Sequence, residues 1–181
     1  MEKRAIGVFC AASETIDGIY ADAARELGRW LGENGHTLVY GGAAKGLMEA
    51  TAAAAKSAGG HIVGVVPDIL ISRNCVSTLL DEQITVHNLS ERKDAIIERS
   101  DLLVALPGGI GTLDEVFHVM AGATIGYHSK LVVFYNVGGF WNGLLQQLCK
   151  YSEEGFLRGD TGKMFATVDN LEQLKKIISE K

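Results

Sequence analysis

A Rossmann-like, doubly wound α/β domain with a parallel sheet is the fold class this sequence predicts, and three observations carry it. Short apolar runs rich in Ile, Val and Leu alternate with stretches that place apolar residues at helical spacing. Several of those runs lead at once into turns of small residues, at 10–13, 41–46 and 107–112. No repeat, linker or low-complexity tract interrupts the 181 residues, so one domain spanning 1–181 is expected.

Residues 4–10 are rich in Ile, Val and Phe and alternate little, as a strand buried on both faces does. They end in Cys10-Ala11-Ala12-Ser13, whose small side chains let a ligand approach closely. Residues 15–34 read as a helix with Ile19, Ala23, Leu27, Trp30 and Leu31 on its apolar face, and Gly35 closes it. A strand over 37–40 runs into Gly41-Gly42-Ala43-Ala44-Lys45-Gly46, and an alanine-rich helix covers 47–58. The third strand, 61–66, halts at Pro67, and the segment up to about residue 80 is expected to be irregular and exposed. After a short strand over 83–86, Asn88 and Glu91 have the spacing of a capping box and start a helix to about Ser100. Then come a strand at 102–106, the glycine turn, a helix from Thr112, a strand at 130–135 and a Gly138-Gly139 turn. A helix over 141–151, a last strand at 164–168 and a closing helix at 170–178 complete the chain. Such alternation implies right-handed crossovers and a parallel sheet covered on both faces.

Composition narrows the function. A formal charge of −5 gives no general attraction to nucleic acid. Three scattered cysteines, Cys10, Cys75 and Cys149, lack metal-site spacing and are expected to be buried and reduced. The five histidines show no metal-binding cluster, so no metal is expected. The first apolar run is too short for a signal peptide and no window reaches membrane-spanning length, which predicts a cytoplasmic protein with no membrane partner.

Open parallel sheets bind ligands beyond the carboxyl ends of their strands. The most informative turn there is Pro107-Gly108-Gly109-Ile110-Gly111-Thr112-Leu113-Asp114-Glu115. A strand, a glycine turn and a helix start, in that order, make an anion cradle: glycines admit the ligand to backbone amides, and the helix end offers unpaired N–H groups. Gly108, Gly109, Gly111 and Thr112 are the phosphate-binding candidates, and Glu115 is a carboxylate expected in the helix's first turn. Its neighbour Asp114 points about 100° away and reads as a helix-start acid. Arg92 and Lys93 open a helix, where cations face the wrong end of its dipole. A ligand phosphate or Glu115 would compensate them, and so would the local Glu91 and Asp94. Neither glycine turn has Gly-Lys-Ser/Thr at Walker spacing or reads Gly-x-Gly-x-x-Gly, so a phosphorylated ligand of another kind is expected. Ser13 has no nucleophile-elbow context, Lys45 is as consistent with solvent as with phosphate, and Trp30 and Trp141 read as core or interface residues rather than base-stacking platforms.

Ser90-Glu91-Arg92-Lys93, followed after one helix and strand by the PGGxGTxxE element, resembles the LONELY GUY family, cytokinin riboside 5′-monophosphate phosphoribohydrolases long mislabelled as lysine decarboxylases. Phe9-Cys10-Ala11-Ala12-Ser13, Tyr40-Gly41-Gly42 with Gly46-Leu47-Met48, and Glu154-Gly155-Phe156 extend the likeness over nearly the whole chain. The resemblance implies hydrolysis of the N-glycosidic bond of a nucleoside 5′-monophosphate, a cytokinin precursor or AMP, to free base and ribose 5-phosphate. It implies Arg92 and Glu115 as catalytic residues and the PGGxGT turn as the 5′-phosphate seat. Lys93, Gly41, Gly42, Ser13 and Met48 complete the expected substrate-binding set. No cofactor is expected, and the family's habit is a homodimer. The chain departs from the usual family pattern at Ala43 and Glu49, at His87-Asn88-Leu89-Ser90 and over residues 121–126. The rival readings are a carrier or sensor that binds a phosphorylated ligand without turnover, and an amino-acid decarboxylase. The latter needs pyridoxal phosphate and a Schiff-base lysine, and no pattern singles out Lys45, Lys93 or Lys130.

Overall fold

The computed structural model describes residues 2–157 and 160–180. Seven parallel strands form one sheet: β1 (Ala5–Phe9), β2 (Thr37–Tyr40), β3 (His61–Pro67), β4 (Glu82–Val86), β5 (Leu102–Ala105), β6 (Val132–Tyr135) and β7 (Phe165–Val168). Their order is β4-β3-β2-β1-β5-β6-β7. The chain builds outward from β1 to β4, then returns to place β5 on the other side of β1. That return is the switch point, where the turns after β1 and β5 part to leave a crevice. Backbone bonds pin its base: Leu106 N–H donates to Phe9 O (3.0 Å) and Ala11 N–H to Pro107 O (3.1 Å).

Helices cover both faces, as the continuous apolar strands require. On one face α1 (Gly18–Glu33), α2 (Gly46–Ser57) and α8 (Leu171–Glu180) pack on Ile6, Val8, Leu38, Tyr40 and Val104. On the other, α4 (Leu89–Glu98), α5 (Ile110–Thr124) and α6 (Asn142–Glu153) meet Phe9, Val39, Val65, Leu103 and Phe134. Each fully buried Leu, Ile or Phe contributes about 1.5–3 kcal/mol, so both layers are well supported. Two short α-helices, α3 (Asp68–Ser72) and α7 (Thr161–Met164), and a 3-10 turn at Val137–Gly139 complete the set among the described residues. Trp141 is buried as expected, its indole N–H donating to Ala105 O at 3.2 Å beside the crevice.

Four expectations are corrected. Helix α1 starts at Gly18, not residue 15, because Asp17 takes the N-cap and accepts the Ile19 N–H; Ile19 is 49% exposed rather than on the buried face. Helix α5 starts at Ile110, with Gly109 as N-cap, so Glu115 sits in its second turn. The segment after β3 is not a loose loop. It contains α3, pairs Val76 with Ala43, sends the Ser77 N–H to Gly42 O (2.9 Å) and lays Leu79 and Leu80 on the core. Of the three free cysteines, Cys10 is buried, Cys75 half-buried and Cys149 exposed. Among the described residues no helix is long and apolar enough to cross a membrane, and no cluster of His, Cys, Asp and Glu has metal-site geometry.

Candidate active site

A cavity of about 350 Å³ opens at the switch point, lined by Cys10, Ala11, Ala12, Ser13, Met48, Arg92, Gly109, Gly111, Thr112 and Glu115. Its walls are three sequence-distant pieces: the turn after β1, the first turn of α2, and α4 facing α5. The α5 end is the polar wall. With Gly109 as N-cap, the N–H groups of Ile110, Gly111 and Thr112 have no carbonyl one turn back to bond, and they carry the helix's partial positive charge. The turn is held open from within. Thr112 is buried and folds back over Gly108, where a Cβ would come 2.1 Å from its hydroxyl oxygen. At Gly109 and Gly111 a Cβ would meet nothing within 4 Å, so their open faces look onto the cavity and solvent.

Glu115 is only 5% exposed. Being in the second turn, it is not explained as a first-turn acid that merely satisfies the dipole. Burial pushes its carboxyl up to about 7; Arg92 opposes that, Asp114 adds to it, and Lys93 opposes it. Arg92 Nη1 lies 3.5 Å from Glu115 Oε1. The rest of the guanidinium is committed to backbone: Nε donates to Val65 O (3.2 Å) and Nη2 to Gly41 O (2.8 Å). The ends of β2 and β3 thus hold the arginine, and the arginine meets the carboxylate. α4 presents it there because Asn88 caps the helix, accepting the N–H groups of Ser90 and Glu91, while Glu91 accepts the His87 N–H. Burial keeps the Cys10 thiol protonated well beyond its ordinary range, helped by Glu115 and opposed by Arg92.

Comparisons with known proteins give the family and the fold. Residues 48–178 match a family described as "Possible lysine decarboxylase". The probable cytokinin riboside 5′-monophosphate phosphoribohydrolase LOGL2 of Oryza sativa subsp. japonica is 41% identical over 155 residues, 86% of this chain and 64% of its own length. The cytokinin riboside 5′-monophosphate phosphoribohydrolase LOG5 of Arabidopsis thaliana is 37% identical over 167 residues, 92% of this chain and 73% of its own. The chain belongs to the LONELY GUY family. Among solved structures, the Moco carrier protein of Chlamydomonas reinhardtii superposes with a TM-score of 0.74 at 24% identity, covering 99% of this chain and 100% of that one. That likeness shows the shared fold.

Not every residue singled out from the sequence lines the cavity of this LONELY GUY chain. Arg92, Glu115, Gly109, Gly111, Thr112, Ser13 and Met48 do. Gly108 lies beneath Thr112, and Gly41 and Gly42 lie beneath Arg92 and Val66. A Cβ at Gly41 would come 1.6 Å from Arg92 Nη2, so that glycine makes room for the arginine rather than for a ligand. Lys93 is also elsewhere: its Nζ is 2.7 and 2.9 Å from the two carboxylate oxygens of Asp114. The local partners Glu91 and Asp94 take neither cation; Glu91 closes its own cap and Asp94 meets His118 Nε2 at 2.8 Å. Cys10, Ala11 and Ala12 join the wall as their small size suggested. The Lys93–Asp114 pair was missed, because positions 21 residues apart on two helices share no spacing signal.

Proposed function

We propose that this chain is a phosphoribohydrolase that cleaves the N-glycosidic bond of a nucleoside 5′-monophosphate, with an N6-modified adenine nucleotide or AMP as substrate. The observation that carries this reading is Glu115, buried in a cavity whose other wall is the N-terminus of its own helix. A phosphate seated on the free N–H groups of α5 anchors one end of the nucleotide, and its binding energy holds the sugar over the carboxylate. As the C–N bond lengthens, positive charge builds on the ribose, and ionised Glu115 stabilises it. Arg92 favours that ionised form against the effect of burial. A water oxygen bonds to the anomeric carbon and becomes the hydroxyl of ribose 5-phosphate; one water proton passes to Glu115 and leaves on the departing base.

The decarboxylase description fits the cavity poorly. No lysine is among its lining residues; Lys45 is exposed, Lys93 is held by Asp114, and Lys130 donates to Ser100 O at 2.6 Å. We further read the protein as a cytoplasmic homodimer. Ile110 and Phe117 on α5 and its C-cap Ile125, 83%, 40% and 65% exposed, form an apolar stripe that supports a contact there.

The test is to incubate the protein with AMP and with N6-prenylated AMP and follow free base by chromatography, beside Glu115→Gln and Arg92→Ala. Base release by the wild type should fall at least about 100-fold in both variants. Nucleotide binding without base release would instead favour the carrier or sensor. Sedimentation equilibrium of the same preparation should give the mass of two chains, and a monomer would sink the dimer reading.

A further inference from the structure

We propose that Lys93 and Asp114 act as a positioning pair, a charged brace between α4 and α5 that sets Arg92 against Glu115 and balances the charge felt by the Glu115 carboxyl. The inference rests on the reading of Glu115 as the catalytic carboxylate. Sequence neighbours on each helix make two ion pairs side by side: Arg92 with Glu115 inside the cavity, and Lys93 with Asp114 just outside it. The outer pair has the tighter geometry, 2.7 and 2.9 Å against 3.5 Å, and the Lys93 side chain is only 12% exposed. A lysine so far withdrawn from water needs its partner. Asp114 is half-exposed, so solvent screens the pair's own Coulombic gain. Its value lies in what it holds in place.

The charge argument makes the pair testable. The groups facing Glu115 are Arg92 and Lys93 from α4, Asp114 from its own helix, and Cys10 from the end of β1. Cys10 is a neutral thiol, so three charges act. Lys93 favours the ionised carboxylate and Asp114 disfavours it. In the intact brace the two effects offset each other. Removing one member alone leaves the other unbalanced beside Glu115, and the two removals act in opposite directions. A brace that merely held the helices together would move Glu115 the same way whichever end was cut.

The experiment follows the Glu115 carboxyl carbon by NMR across pH in the unliganded protein, its resonance identified by its absence in Glu115→Gln. Lys93→Met should move the titration to higher pH and Asp114→Asn to lower pH, each by roughly half a pH unit. The double variant should return near the wild type, and Lys93→Arg should restore it. Shifts in the same direction, or none in either variant, would overturn the proposal. Asp114 is half-exposed, so Asp114→Asn carries the test even if Lys93→Met does not fold. The catalytic reading fails separately, if Glu115→Gln keeps wild-type base release.

Discussion

Two turns in this chain look alike in sequence and do opposite things. Each follows a buried strand with consecutive glycines and opens a helix: Gly41 to Gly46 after β2, and Pro107 to Thr112 after β5. At the second, Gly109 and Gly111 face open space at the N-terminus of α5, where the first N–H groups of the helix have no carbonyl one turn back. At the first, protein fills the space. The Arg92 guanidinium lies on Gly41, the Val66 side chain on Gly42, and the Ser13 carbonyl 2.5 Å from a Cβ at Gly46. Glycine leaves open space at one turn and admits an arginine at the other. On the proposed function, the contrast separates a binding surface from the support that orients Arg92.

The largest expected effect comes from breaking the support. Gly41→Ala puts a methyl carbon where Arg92 Nη2 now lies, so the guanidinium must abandon Gly41 O and with it the approach to Glu115. A displacement of about 1 Å in such a group costs roughly 100-fold, and kcat/KM for base release should fall by that much or more. Steady-state kinetics check it. A change confined to KM would mean that Gly41 touches substrate after all, and the contrast between the turns would collapse.

What could be read from the sequence follows from the range of the interactions. The strands, the helices and the capping box at Asn88 are local, and composition and spacing reveal them. Glu115 and Arg92 were singled out because a motif and a mismatch with the helix dipole marked them. The space over Gly41 is occupied by a side chain 51 residues away, and nothing in the turn's own residues tells an arginine from a phosphate. The strap after β3 was misread for the same reason: Leu80 packs across Gly64, a tertiary contact that no local pattern announces. Helix α5 starts at Ile110, earlier than expected, although glycine at 111 is a poor helix former.

The next effect concerns the cost of burying Glu115. Its folded pKa of about 7 lies above the ordinary 4.5. Between those values the folded protein binds more protons than the unfolded chain, so stability falls as pH rises through that window. Above pH 7 the buried carboxylate costs on the order of 3 kcal/mol. Glu115→Gln stays neutral throughout. Its melting temperature should match the wild type near pH 4.5 and exceed it by about 5–10 °C at pH 8, read by calorimetry. A constant difference across pH would show that the carboxylate is not strained by burial. If Glu115 is the catalytic carboxylate proposed above, the substitution exchanges activity for stability.

The smallest effect tests the open turn. Gly111 lies in the first turn of α5, lines the cavity and has no atom within 4 Å of a Cβ position. Gly111→Ala therefore costs the unliganded protein nothing and gains up to about 1 kcal/mol of helix propensity. The new methyl stands in the cavity, at the proposed phosphate seat. KM should rise about tenfold, equivalent to about 1.4 kcal/mol of binding, with kcat kept, because Arg92 and Glu115 lie a turn further in. The same substitution thus gives different kinetic signatures at the two turns: kcat lost at Gly41, and KM raised with kcat kept at Gly111. An unchanged KM would place the phosphate elsewhere than on α5, and with it the sugar, leaving Glu115 without a substrate bond to act on.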